Sequence, residues 1–217
     1  MTWDWQYTGE IIPDLLRGLR YTVIATLAGY VIALLLGLVW TLLRRTPSRV
    51  VNQTVRWITE FIRSTPLIPQ LYFVFFVLPA WGLTIGPLTA GIITLGIHYS
   101  TYTAEVYRAG IADVPKGQWE ACTALNLPKS RVWLDVILPQ AIRRVIPTLG
   151  NYLIAMFKDS PMLLAINVAE LLFSAYQVGS RTLQFLEPIT VVGLLFVVVS
   201  VLSSIMVRRL ERRYATH

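Results

Sequence analysis

The stretch that decides the fold is YTVIATLAGYVIALLLGLVWTLL, residues 21–43, which contains no charged side chain. As an α-helix it would extend about 34 Å, enough to cross a hydrocarbon core about 30 Å thick. Arginines flank it at both ends: Arg17, Arg20, Arg44 and Arg45. The stretch therefore predicts a transmembrane helix over about 20–43.

Further apolar runs follow along the chain. Residues 64–104 carry no charge, but they are too long for one helix, and Pro79, Gly82, Gly86 and Pro87 divide them. Shorter runs begin at Val145 and at Pro188. Together these runs predict an all-α membrane protein of one domain, 1–217, with five transmembrane helices. Their expected bounds are about 20–43, 57–78, 88–107, 140–164 and 188–207, and Pro66 and Pro69 are expected to distort the second helix.

The composition also indicates a lipid environment. Apolar residues make up 55% of the chain and charged residues 14%, whereas about a quarter of the residues in a soluble domain are charged. The net charge is +7, but the cations form short clusters between apolar runs, which is typical of membrane loops and not of a nucleic-acid groove. The single cysteine, Cys122, excludes an intrachain disulfide and a cysteine-based zinc site.

The distribution of cations predicts the orientation. With the N-terminus outside, the clusters Arg44–Arg45, Arg143–Arg144 and Arg208–Arg213 all lie on the cytoplasmic side. The outer side and the outer part of the fourth helix then hold Arg17, Arg20, Lys158 and Arg181. The positive-inside rule favours this arrangement, with the C-terminus cytoplasmic. The N-terminus lacks the basic start and cleavage site of a secretory signal, so we expect the first apolar run to remain in the mature chain.

The longest polar segment, residues 110–139, is predicted to lie in the cytoplasm between the third and fourth transmembrane helices. Pro115 suits the first turn of a short helix, and Asn126 stands where a chain reversal needs a left-handed residue. Pro128 can open a second helix and Pro139 the fourth transmembrane helix. A helix–turn–helix of this kind fits a groove on a partner protein, and an amphipathic linker on the membrane surface is the alternative.

Several motifs resemble those of one transporter family. Residues 120–122, Asn126 and residues 137–139 resemble the Glu-Ala-Ala…Gly…Leu-Pro loop of ABC importer permeases, with Cys122 and Asn126 replacing a small residue and the usual glycine. Other stretches resemble the polar amino-acid branch of that family: residues 15–19, 63–67, 102–108 and 158–160. Within that branch, residues 96–99, 125–127 and 158–161 are similar to ectoine and hydroxyectoine importer permeases.

The resemblance implies the ABC type I importer permease fold in the cytoplasmic (inner) membrane of a bacterium. It also implies three kinds of protein partner: a dimer of ABC ATPase subunits, a second permease subunit as homodimer or heterodimer, and an extracytoplasmic solute-binding protein. The ATPase-coupling residues would be Gly117, Glu120, Ala121, Cys122, Asn126, Leu138 and Pro139. The implied cargo is a small polar or zwitterionic solute, with ectoine first and a polar or basic amino acid second.

The chain is not predicted to hydrolyse ATP. A phosphate-binding loop needs a Gly-Lys pair before Ser or Thr, and no Gly-Lys pair occurs in the sequence. We therefore expect no cofactor in this chain, with ATP and magnesium bound by the partner ATPase.

Charged residues inside the fourth predicted span point to the transport path. Lys158 and Asp159 are adjacent, so they point in different directions on a helix and cannot neutralise each other well. One hypothesis is that Lys158 meets the carboxylate of a zwitterionic solute and Asp159 its cationic end; the alternative is structural pairing with other helices. Glu105 and Arg108 have the spacing of an ion pair. The candidate path residues are His98, Tyr102, Glu105, Lys158, Asp159 and Ser160.

Two other classes of protein remain alternatives. An ion channel or secondary transporter would explain the apolar runs and the buried charges, but not an ordered cytoplasmic segment rich in small residues. A membrane scaffold without a transport path would not explain the polar third helix. Labelling of Cys122 from each side of the intact membrane tests the importer assignment, because a thiol reachable only from the exterior would overturn it.

Overall fold

The computed structural model describes residues 3–214, and these residues form helices and connections without a β-strand. The helices are α1 (Trp5–Leu43), α2 (Arg49–Ser64), α3 (Leu67–Tyr72), α4 (Pro87–Ala112), α5 (Lys116–Ala124), α6 (Lys129–Arg131), α7 (Leu138–Asp159), α8 (Leu171–Thr182) and α9 (Leu186–Tyr214). Tighter or wider helical turns extend two of them: Phe73–Val77 and Leu78–Trp81 after α3, and Val132–Ile137 before and Ser160–Ile166 after α7.

Two helices are long and apolar enough to cross a membrane, α1 and the Leu186–Arg209 part of α9. The number rises to four if each of two bent pairs counts as one span. Helix α4 is also long, with 26 residues, but its sequence from His98 to Thr103 is polar. The predicted count of five spans and the predicted orientation therefore stay predictions.

Helix α1 begins well before the predicted span of 20–43. The carboxylate of Asp4 accepts a hydrogen bond from the Tyr7 backbone N–H at 3.0 Å and caps the helix at Trp5. Ile11 and Leu15 in this early part are buried against residues of α8 and α9. This packing explains why the N-terminal segment continues the transmembrane helix instead of forming a separate surface segment.

Helices α1 and α4 form the most extensive helix–helix contact. Small buried residues at near four-residue spacing line α1, and small side chains let two backbones approach closely in a membrane. Two hydroxyls bridge the contact: Thr103 Oγ1 donates to Ala33 O at 2.7 Å, and Thr41 Oγ1 donates to Ala104 O at 3.2 Å. The small buried residues of α1 are Gly18, Thr22, Ala25, Thr26, Gly29, Ala33, Gly37 and Thr41.

A sharp break separates α2 from α3. The axes of Arg49–Ser64 and Leu67–Trp81 meet at 107°, so they differ from the single helix predicted over 57–78. Pro66 has no N–H to continue the helix, and the backbone of Thr65 is extended. The side-chain amide of Gln70 donates to Ile62 O at 2.7 Å and to Thr65 O at 2.8 Å, which satisfies carbonyls that the break frees.

Helix α8 was not predicted from the sequence. Glu170 caps this helix, because its carboxylate accepts hydrogen bonds from Leu172 N at 2.9 Å and from Phe173 N at 2.7 Å. Leu171 N donates to Thr22 Oγ1 at 3.1 Å, which fixes the start of α8 against α1. The fourth predicted span, 140–164, corresponds to α7 and the tighter turn that follows it.

Candidate functional site

The polar segment after α4 folds into a helical hairpin, residues 116–131, that we call the coupling hairpin. Asn126 has a φ of 51°, so the left-handed turn predicted at this position is confirmed. Leu127 N donates to Cys122 O at 3.1 Å across the turn. Asp113 lies just before the hairpin, and its carboxylate binds the guanidinium of Arg144 on α7. This ion pair joins the segment just before the hairpin to α7.

One side of the coupling hairpin packs onto the rest of the chain. The rings of Trp119 and Trp133 have centroids 5.4 Å apart, and the Arg45 guanidinium lies 4.6 Å from the centre of the Trp133 ring. Cys122 lines a pocket together with both tryptophans and is 4% exposed. Cys122 therefore lies on the packed side of the helix, although the predicted coupling set placed it against a partner protein. The side of the membrane from which its thiol can be reached stays a prediction.

The opposite side of α5 is open. Gly117, Glu120 and Ala121 are all exposed, and they lie on one side of the helix because Glu120 and Ala121 follow Gly117 by three and four residues. A Cβ added to Gly117 would meet no atom within 4 Å, so packing within this chain does not require a glycine there. Leu138 and Pro139 lie at the start of α7, beyond the Val132–Ile137 turn.

An ion-pair cluster joins three helices near the end of α1. Glu105 on α4 binds Arg44, which follows α1, at 2.5 Å and Arg108 at 2.7 Å, and Arg63 of α2 lies 4.0 Å away. The Glu105–Arg108 pair predicted from the spacing is therefore present. The contact with Arg44 was not predicted, because sequence spacing gives no distance between separate helices. This arrangement gives Glu105 a structural role where three helices meet.

A second cluster, which we call the aromatic–acid cluster, surrounds Asp159. The Tyr99 hydroxyl donates a hydrogen bond to Asp159 Oδ2 at 2.5 Å. The rings of His98, Tyr99, Tyr102 and Tyr152 pack together with centroid distances of 5.4 to 6.2 Å. Within residues 3–214, the buried His98 Nδ1 has no hydrogen-bond partner. The cluster places one carboxylate among polar aromatic rings between α4 and α7.

The structure brings together only part of the predicted path. His98, Tyr102 and Asp159 belong to the aromatic–acid cluster, whereas Glu105 belongs to the arginine cluster. Ser160 is buried and donates to Phe157 O at 2.8 Å, and Lys158 is exposed. The predicted set omitted Tyr99 and Tyr152. The missed signal was spacing: Tyr152 precedes Asp159 by seven residues, two helical turns, and therefore lies on the same helix face.

Comparisons with known proteins agree with this architecture. Residues 29–216 match the model of the family "binding-protein-dependent transport system inner membrane component". The chain is 42% identical over 212 residues to the probable amino-acid ABC transporter permease protein y4tG of Sinorhizobium fredii, covering 95% of this chain and 92% of the relative. It is 33% identical to the arginine transport system permease protein ArtQ of Bacillus subtilis and 33% identical to the glutamine transport system permease protein GlnP of Escherichia coli. Each of these two alignments covers 98% of both chains.

Solved structures show the same fold. A crystal structure of an amino acid ABC transporter with histidines superposes with a TM-score of 0.94 at 33% identity, covering 98% of this chain and all of the other. The MetNI methionine ABC transporter in an inward-facing conformation gives a TM-score of 0.76 at 24% identity, which shows the fold alone. The architecture is that of an all-helical ABC type I importer permease. The chain belongs to the family of binding-protein-dependent transport system inner membrane components, the membrane permease subunits of ABC transporters.

Proposed function

We propose that this chain forms half of the transport path of an ATP-driven importer for an amino acid or a closely related zwitterion. Asp159, held by Tyr99 within the aromatic–acid cluster, is the observation that carries the proposal. Tyr99 engages Oδ2, and Oδ1 makes no hydrogen bond within residues 3–214, so it is available to the ammonium group of a solute. The faces of Tyr102 and Tyr152 add attraction for a cation.

Lys158 is the second charged group in the proposed site for a zwitterion. It is exposed at the same level of α7 as Asp159, and a charged side chain in a membrane protein faces protein or a water-filled cavity. A second permease subunit would enclose the space that Lys158 faces. We infer that its ammonium group meets the solute carboxylate from that side, while Asp159 meets the cationic end.

The coupling hairpin carries the proposed connection to the ATPase. The exposed face of Gly117 and Ala121 permits a partner backbone to approach closely, and Glu120 supplies a charged contact. Small residues on a rigid helix suit the transmission of a push from a partner. An ion channel or a secondary transporter does not bind an ATPase, so neither would require this exposed face of α5. Membership of the ABC permease family also disfavours these two alternatives.

The relatives rank the candidate solutes. The similar proteins from Bacillus subtilis and Escherichia coli are named for arginine and glutamine transport. An amino acid is therefore the first candidate solute, and ectoine, suggested by the motif at residues 158–161, is the second. A solute-binding protein outside the membrane would supply most of the selectivity between them.

The test is uptake into proteoliposomes containing this chain, its ATPase and its binding protein. We expect ATP-dependent uptake of a labelled amino acid, reduced by unlabelled solutes of the same class. Glu120→Lys should abolish uptake while the variant still inserts into the membrane. Uptake without ATP, or normal uptake by Glu120→Lys, would contradict the proposed mechanism.

A further inference from the structure

Helix α2 has three distinct faces. Val55 and Thr59 are buried against the rest of the chain. A second face is apolar and open, since Val50, Trp57 and Phe61 are 76%, 65% and 73% exposed. The third face is basic. Arginines recur there every seven residues, at Arg49, Arg56 and Arg63, and the one acidic residue of the helix, Glu60, binds Arg63 at 2.5 Å.

Both ends of α2 are held at the same level of the bundle. The Asn52 amide near its start donates to Arg44 O at the end of α1. Arg63 near its end lies 4.0 Å from Glu105, which also binds Arg44 at 2.5 Å. A helix tied at both ends to one level runs across its neighbours, not along them. The following helical segment leaves α2 at an angle of 107°.

An apolar groove opens beside the last turn of α2. It has a volume of about 590 Å³ and lies between α2, α3 and α4. Phe61 belongs both to the open face and to the groove wall, so the two apolar surfaces are continuous. Other apolar side chains that line the groove include Ile62, Phe73, Val74, Leu78 and Ile97.

We propose that α2 lies in the plane of the cytoplasmic leaflet and binds an anionic phospholipid. Arg49 and Arg56 would bind the headgroup phosphate, while Trp57 and Phe61 enter the acyl region and one acyl chain occupies the groove. A basic face beside an apolar aromatic face is the pattern of helices that lie at a membrane surface. The leaflet follows from the orientation proposed for the chain; the solute and the ATPase play no part in the inference.

A lipid fits this surface better than a protein. A second permease copy offers the same arginines to the same face, which gives like-charge repulsion instead of pairing. A water-soluble ATPase would cover the arginines, but it has no acyl chain for the groove beside Phe61. Charge complementarity and the continuous apolar surface together select an anionic lipid.

Membrane depth tests the geometry. Nitroxide labels are placed by Val50→Cys and Phe61→Cys in a Cys122→Ala background, within the assembled importer in nanodiscs. Val31→Cys and Leu42→Cys on α1 are the matched control, because both pairs are eleven residues apart and exposed. Oxygen and nickel accessibility should give depths that differ by about 16 Å for the α1 pair and by less than about 5 Å for the α2 pair. An α2 difference near that of α1 would overturn the proposal.

Lipid selectivity tests the chemistry. The fluorescence of Trp57 is obtained as the difference between the unmodified protein and Trp57→Phe. Brominated phosphatidylglycerol should quench this fluorescence more than brominated phosphatidylcholine does. Arg49→Gln with Arg56→Gln should reduce this selectivity by roughly fivefold per arginine. Arg208→Gln with Arg209→Gln removes the same charge elsewhere and should keep the selectivity. Equal quenching by the two lipids, or selectivity retained without Arg49 and Arg56, would refute lipid binding. Labels at 61 shielded from both oxygen and nickel would show that a protein covers this face.

Discussion

At the scale of single residues, Asp159 has the surroundings expected of a binding group. A carboxylate removed from water is costly unless a hydrogen-bond partner compensates it, and the structure supplies one hydroxyl, that of Tyr99. The remaining oxygen is free for a ligand within the described chain. Substitution can test the Tyr99–Asp159 pair. Tyr30 provides a control, because its hydroxyl is hydrogen-bonded to Leu149 O and not to Asp159.

Asp159→Asn should weaken solute binding to the assembled importer by about tenfold or more, since hydrogen bonds to charged groups contribute about 1.5–3 kcal/mol. Tyr99→Phe should give a smaller loss, because it frees the carboxylate without removing it. Equilibrium binding of labelled solute would measure both. Tyr30→Phe is the control; it removes a hydroxyl that donates to Leu149 O at 2.9 Å. Normal binding by Asp159→Asn would exclude Asp159 from the solute site.

Local chemistry was predicted better than contacts between helices. The left-handed turn at Asn126 and the Glu105–Arg108 pair follow from the residue type and from spacing along one helix. The contact between Tyr99 and Asp159 depends on how α4 meets α7, which no local pattern specifies. The two sides of α5 were not separated for a related reason: the predicted coupling set contains both the exposed Ala121 and the buried Cys122. Motif spacing does not tell which side of a short helix faces its own chain.

At the scale of helices, α5 presents a face that its own chain leaves uncovered. Gly117→Leu should reduce co-purification of the ATPase at least tenfold, because a bulky side chain would keep the partner backbone away. The fold should be retained, since leucine favours a helix more than glycine does. Gly9→Leu is the matched control: a Cβ at Gly9 also meets nothing within 4 Å. Equal ATPase recovery with both variants would argue against docking at Gly117.

The contact between α1 and α4 makes a second prediction about glycine. A Cβ at Gly96 would lie 2.5 Å from Ile32 and 3.1 Å from Gly29 O, so Gly96→Ala should destabilise the protein by about 1–3 kcal/mol. At Gly193 a Cβ meets nothing within 4 Å, and Gly193→Ala should be neutral or stabilising by up to about 1 kcal/mol. Unfolding of the detergent-solubilised complex measures both. A smaller loss at Gly96 than at Gly193 would mean that the close helix contact is absent.

The apolar runs predicted where helices lie, but not where they turn. Pro66 was expected to distort a helix, but the structure has a full break at Thr65, and Gln70 stabilises it by donating to the freed carbonyls. Helix α8 was missed because its stability comes from contacts with α1 and from the capping Glu170. Neither effect can be seen in the periodicity of a single segment.

At the scale of the whole molecule, the orientation makes a direct prediction. Ala121→Cys in a Cys122→Ala background places a thiol on the exposed side of α5, and Gly9→Cys places one near the start of α1. A membrane-impermeant maleimide should label position 121 only from the cytosolic side and position 9 only from outside. Labelling in intact and inverted vesicles makes the measurement. The reverse pattern would invert the topology and remove the basis for ATPase coupling.

The tryptophan-lined niche of Cys122 makes the natural chain its own reporter of hairpin detachment. Because Cys122 is 4% exposed, its thiol should react faster with an alkylating agent when the hairpin lifts from the bundle. The rate of modification therefore reports this lifting without any engineered label. Binding of the ATPase to the hairpin should lower the rate of Cys122 modification. ATP hydrolysis that moves the hairpin should raise this rate.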